Sequence, residues 1–122
     1  MTRAERFEDL VAWQKARGLA REIYAVTRSR DFTHDFALAR QMQRAAVSIM
    51  ANLAEGFDRH GATEFHRFVT LSHGSCSELK SHLYVAIDAG YIAQPEFDRL
   101  YALAAETDRI LRALRASLAR AR

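Results

Sequence analysis

The sequence predicts an all-α fold, an antiparallel up-down-up-down bundle of four helices in one domain spanning residues 1–122. Three observations predict it. Apolar residues recur at steps of three and four through four long segments. Turn residues are scarce, with five glycines and one proline in 122 residues, whereas a many-stranded β fold needs turn signals roughly every eight to twelve residues. The connectors are short, which makes consecutive helices antiparallel neighbours. Apolar residues make up 49% of the chain, enough for one core in a domain of this length.

The first helix is expected over about residues 8–29, with Leu10, Trp13, Ala16, Ala20 and Ile23 on its inner stripe and Thr27 continuing the line. A connector follows, in which Asp31, Thr33 and Asp35 are candidate N-caps because a short oxygen-bearing side chain can accept from a free helical N–H. The second helix is expected over 36–59, with Met42, Ala46, Ile49 and Leu53 facing the core. Gly61 stands where a left-handed C-terminal cap is needed, and Thr63 can cap the next helix. The third is expected over 64–89, with Phe65, Phe68, Val69, Ser72, Cys76, Leu79, Leu83, Ala86 and Ile87 on one face and Gly90 as its stop. The fourth is expected over 95–119, opened by Pro95 at a position where no amide is needed, with Phe97, Leu100, Tyr101, Ala104, Leu111, Leu114 and Leu118 inward.

Composition bounds the function. The N-terminus MTRAERFEDL carries charge and no apolar stretch, so no secretory signal is read. No run of about 18 apolar residues is present to span a membrane. A single cysteine, Cys76, excludes an internal disulfide and suits a reducing cytoplasm. The net charge is +3, and sixteen of the eighteen basic residues are arginine. That bias follows from codon composition, or from a need for bidentate phosphate contacts, which arginine makes better than lysine.

The second helix carries more than a core stripe. At about 100° per residue, Gln41, Arg44, Ser48, Asn52 and Glu55 fall on one polar track beside it. The face left for water holds Val47, Met50, Ala54 and Phe57 as well as Arg40, Gln43 and Asp58. A helix that is apolar on two sides needs two neighbours, its own bundle and, in this reading, a second subunit. The third helix has a similar track, Glu64, Ser75, Glu78 and His82, interrupted by Leu71. The two tracks are expected to face each other or to meet at a subunit contact. Arg44 would then pair with Glu78 or Glu55, and Asn52 and Ser75 would join the network. The alternatives are an ordinary solvated face and a small active site built on Glu55, Glu78 and Arg44, although no nucleophile and base accompany them.

The segment 41–57, QMQRAAVSIMANLAEGF, contains the motif R-A-A-x-S-I-x-A-N-[IL]-A-E-G. It resembles the bacterial four-helix bundle proteins first noted as products of intervening sequences in 23S ribosomal RNA genes. Residues 7–16, FEDLVAWQKA, resemble that family's opening helix, and Gly74-Ser75 with Glu78-Leu79 resembles its third-helix signature. The resemblance implies an antiparallel bundle assembled as a ring-like homopentamer with no established enzyme activity. A related branch, the accessory protein of diversity-generating retroelements, is a basic pentamer that binds nucleic acid and a reverse transcriptase. The matching polar or small positions are Arg44, Ser48, Asn52, Glu55, Gly56, Ser75 and Glu78.

Other constellations carry less. The spacings of His66, His73 and His82 are not those of a helical zinc site, so no metal and no cofactor are expected. Cys76 lies on the core face as a small hydrophobe. Gly74-Ser75-Cys76-Ser77 lacks the strand and second glycine of a nucleophile elbow. The basic candidates are on the outer helices: Lys15, Arg17, Arg21 and Arg28 on the first, Arg109, Arg112 and Arg115 on the last, extended by Arg120 and Arg122. They form a solvated face or a surface for RNA or DNA phosphates, the latter multiplied by assembly. The sequence therefore points to a non-enzymatic, homo-oligomeric scaffold that binds nucleic acid through its outer helices, or alternatively to a protein–protein adaptor, for example to a polymerase, that binds none.

Overall fold

The computed structural model describes residues 3–121. Arg122 lies outside the described residues. Four helices follow one another: α1 (Val11–Thr27), α2 (Phe36–Asp58), α3 (Ala62–Asp88) and α4 (Gln94–Ala121), with short 3-10 turns at Phe7–Asp9 and Arg30–Phe32. Among the described residues there is no strand. Each helix packs on the next, and α4 returns to α1, so a single core is enclosed. Leu19, Ile23, Met42, Ile49, Leu53, Val69, Leu79, Leu83, Leu100 and Leu111 are fully buried in it. Burying each such side chain is worth roughly 1.5–3 kcal/mol.

The helix ends follow local chemistry and differ from expectation at three places. The chain before α1 is a separate turn rather than helix, because the Asp9 carboxylate accepts from the backbone N–H groups of Glu5 and Arg6 at 3.1 and 3.2 Å. Leu10 then turns extended, and Phe7 folds against Trp13 with ring centroids 5.3 Å apart. After α2 the left-handed residue is His60, with φ 54°, not Gly61, which is extended and precedes α3. Histidine is among the side-chain residues that tolerate this region. α3 begins at Ala62 with no side-chain cap, so Thr63 sits inside its first turn. Asp35 caps α2, accepting from the Leu38 N–H at 3.0 Å. Its second oxygen accepts from the Tyr91 hydroxyl at 3.1 Å, which ties the α1–α2 connector to the α3–α4 turn. Gly90 ends α3 with φ 81°.

α2 and α3 approach closely at Gly56. A Cβ there would lie 2.5 Å from the Cβ of Phe68 and 3.1 Å from Cδ1 of Phe65. Higher in the same seam the buried Ser72 hydroxyl donates to the Ile49 carbonyl at 2.8 Å. No buried side-chain nitrogen or oxygen among the described residues lacks a partner.

Candidate functional site

The polar tracks of α2 and α3 meet in part. The Ser75 hydroxyl donates to Ser48 Oγ at 2.9 Å. Asn52 Nδ2 donates to the Ser48 carbonyl and hydroxyl at 2.9 and 3.0 Å. These three side chains are half-buried; the Ser75–Ser48 bond joins the two helices, and Asn52 holds the Ser48 hydroxyl from its own helix. The charged members behave differently. Glu55 pairs with Arg59 one turn on, at 3.2 Å, and Glu78 with His82, at 3.3 Å. Arg44 and Gln41 are exposed, and Arg44 forms no ion pair with either carboxylate. The seam can hold its neutral hydrogen bonds within one subunit, whereas Arg44 is long, solvated and aimed outward. The five principal surface grooves, with volumes of 320 to 480 Å³, are lined by residues other than Arg44, Glu55 and Glu78. These three do not converge on one point.

The outward apolar side of α2 is narrower than the sequence suggests. Val47 is 41% exposed and Ala51 is exposed beside it, while Ala54 is half-buried. Met50 packs against the core cluster. Phe57 meets Phe65 edge-on at 5.9 Å. Met50 and Phe57 are each half-buried, because covering apolar surface removes it from water.

The basic candidates separate into engaged and free groups. Lys15 pairs with Glu106 across α1 and α4 at 3.0 Å, and Arg99 pairs with Glu22 over the same seam. Arg17 lies over the Trp13 ring at 5.8 Å. Arg21 lines a groove with Glu22, Arg99 and Glu106, so that face alternates in sign. Arg112 is held by Asp108 at 3.4 Å. Arg109 is exposed and Arg115 half-buried.

Sequence reasoning missed the surroundings of Asp108. This carboxylate is only 4% exposed, and a histidine, a lysine and an arginine surround it. His73 Nδ1 lies 2.5 Å from Oδ1, and Lys80 Nζ and Arg112 Nε lie 3.5 and 3.4 Å from Oδ2. The one legible sign was the four-residue step from Asp108 to Arg112. The contributions of α3 needed the helix pairing to be known. Cys76 lies just inside this cluster, its thiol donating to the Ala104 carbonyl at 3.3 Å. Burial, and then the Asp108 charge, push that thiol up to about 11. It is a packed, inert thiol. Among the described residues no three His, Cys, Asp or Glu side chains are grouped to hold a metal ion, and no helix is long and apolar enough to cross a membrane.

Comparison with known proteins bears on the fold and the family. The solved structure of a protein with unknown function from the S23 ribosomal protein family of Bacteroides thetaiotaomicron superposes with a TM-score of 0.78. It is 20% identical and covers 85% of this chain and 97% of its own, a likeness of fold. Among curated proteins none matches. The model of the 23S rRNA-intervening sequence protein family matches residues 8–113, the stretch that holds α1, α2, α3 and most of α4, and the chain belongs to that family.

Proposed function

We propose that this protein is a non-enzymatic scaffold that assembles with copies of itself and binds nucleic acid on its outer surface. One observation carries the reading. α2 is buried on one side, yet presents Val47 and Ala51 to water on the other, flanked by the unpaired Arg44. Such a helix is completed by a second apolar surface. A second copy is the most economical source, since identical chains supply the same patch at equal concentration. The family resemblance favours a ring of five. The contacts of α3 with α4 support the antiparallel up-down course: His73 meets Asp108, and Tyr84, further along α3, meets Phe97, further back along α4. In this reading Ser48, Asn52 and Ser75 stiffen the edge that a neighbour grips. Arg44, Gln41, Glu55, Glu78 and His82 are available to it, and Val47, Met50, Ala54 and Phe57 provide the apolar contact.

Nucleic-acid binding is supported by the net charge of +3 and by arginine making up most of the basic residues. Sedimentation of the purified chain at about 50 mM and about 200 mM salt, with and without structured RNA, tests both halves. The expected outcome is a multimer that binds RNA at low salt and releases it steeply as salt rises. A monomer refutes the assembly, and absence of binding at the lower salt refutes the nucleic-acid role.

A further inference from the structure

We infer that the groove between α3 and α4 is a track for single-stranded nucleic acid, in which Lys80 and Arg112, ordered by buried Asp108, hold phosphates and the exposed Tyr84 ring stacks bases. The inference rests on the nucleic-acid reading above and gives it a location other than the sign-alternating α1–α4 face. His66, His73, Lys80 and Tyr84 follow one another on α3 at steps of seven, seven and four, which is one helical face. Tyr101, Asp108, Arg112 and Arg115 do the same on α4 at steps of seven, four and three. The two faces adjoin, as the contacts of Asp108 and Tyr101 with α3 require.

Charge and aromaticity are arranged as such a ligand needs. Asp108 is buried, so it positions His73, Lys80 and Arg112 side by side without presenting its own charge to solvent, and the exposed carboxylates Asp88 and Asp98 lie one turn beyond Tyr84 and Tyr101, past the aromatic end. The residues flanking the line toward water on α3, Thr70, Ser77 and Ser81, are uncharged hydroxyl donors. Lys80 Nζ lies 5.8 Å from the centre of the Tyr101 ring, and Tyr101 meets Tyr84 at 5.6 Å. Tyr84 is 51% exposed, an aromatic surface left open beside a cation. A strip of basic side chains ending in an exposed aromatic ring is the pattern of sequence-tolerant single-strand binding. Its length, from residue 66 to residue 84 at about 1.5 Å per residue, is about 27 Å, enough for several nucleotides.

The test uses the full chain and twelve-nucleotide oligouridylate and oligothymidylate probes, with anisotropy read from about 50 to 300 mM salt. Tyr84→Ala is expected to weaken binding by about 5- to 150-fold with the salt slope unchanged. Lys80→Gln paired with Asp108→Asn keeps the buried site charge-matched, and is expected to weaken binding and to reduce the logarithmic salt slope by about 0.7. Tyr24→Ala, which removes an exposed aromatic ring on α1 and no charge, is the control on another helix and is expected to bind as the parent does. If the parent binds and the Tyr84 and Lys80 variants bind equally well, the track is refuted while the nucleic-acid reading stands. Loss confined to the control has the same meaning. If the parent binds neither probe at the lowest salt, the track is refuted, and structured RNA in the sedimentation experiment decides the broader reading. Tighter binding of one probe separates RNA from DNA as the ligand.

Discussion

Replacing Gly56 with alanine should lower stability, whereas the same change at Gly18 and Gly74 should raise it. All three lie within helices, where alanine gains roughly 0.5–1 kcal/mol over glycine. At Gly18 and Gly74 an added Cβ meets nothing within 4 Å, so that gain is kept. At Gly56 it would lie 2.5 Å from Phe68 Cβ and 3.1 Å from Phe65 Cδ1, against a comfortable carbon separation of about 3.5–4.0 Å. A Cβ cannot rotate away, so α2 and α3 must part by about 1 Å. Overpacking of this kind costs about 1–3 kcal/mol. The difference between Gly56→Ala and Gly74→Ala cancels the propensity gain and isolates that cost. Urea unfolding followed by far-UV circular dichroism, at one fixed protein concentration because assembly is coupled to folding, gives the two free energies. If Gly56→Ala matches Gly74→Ala within a few tenths of a kcal/mol, the close α2–α3 contact is wrong.

Further predictions address the seams and the buried thiol. Ser72→Ala removes the donor to the Ile49 carbonyl and should cost about 0.5–1.5 kcal/mol in the same urea assay. Asp108→Asn leaves Lys80, Arg112 and His73 without their shared carboxylate and should cost about 1–3 kcal/mol, with part of the loss recovered when Lys80→Gln is added. Cys76 should resist iodoacetamide in the native protein at pH 8 and react on unfolding, as mass spectrometry of the labelled chain can record. Its thiol is raised from 9.0 to about 11 by burial, so above pH 9 the unfolded chain loses the proton first. Its contribution is therefore complete below pH 9 and is lost as pH rises to about 11, at no more than about 1.4 kcal/mol per pH unit. Cys76→Ala should abolish that slope.

Much of this was legible in the sequence, and the rest failed for identifiable reasons. The core stripes of α2 and α3 could be read because a period of 3.6 is a local property of the chain. Met42, Ile49, Leu53, Leu79 and Leu83 are all buried. The caps divided by mechanism. Asp35 and Gly90 act through their own side chain or backbone and were readable, while the left-handed position fell at His60, one residue before the extended Gly61. Of the polar tracks, Ser48 and Ser75 bond between α2 and α3, while Asn52 bonds Ser48 on its own helix. Within the subunit Glu55 and Glu78 each pair one turn away on their own helix, which a flexible side chain reaches at little cost. The Asp108 cluster could not be read, since it joins residues 73, 80, 108 and 112 from two helices whose register no local pattern specifies.

The central claim is that the solvent side of α2 is completed by a second copy of the chain, and light scattering of the parent protein beside Val47→Glu tests it most directly. The account predicts a parent mass that is a multiple of 13.9 kDa, and a monomeric Val47→Glu variant whose helical circular dichroism is retained. A parent that remains monomeric at tens of micromolar, or a variant that keeps the parent's mass, would contradict it.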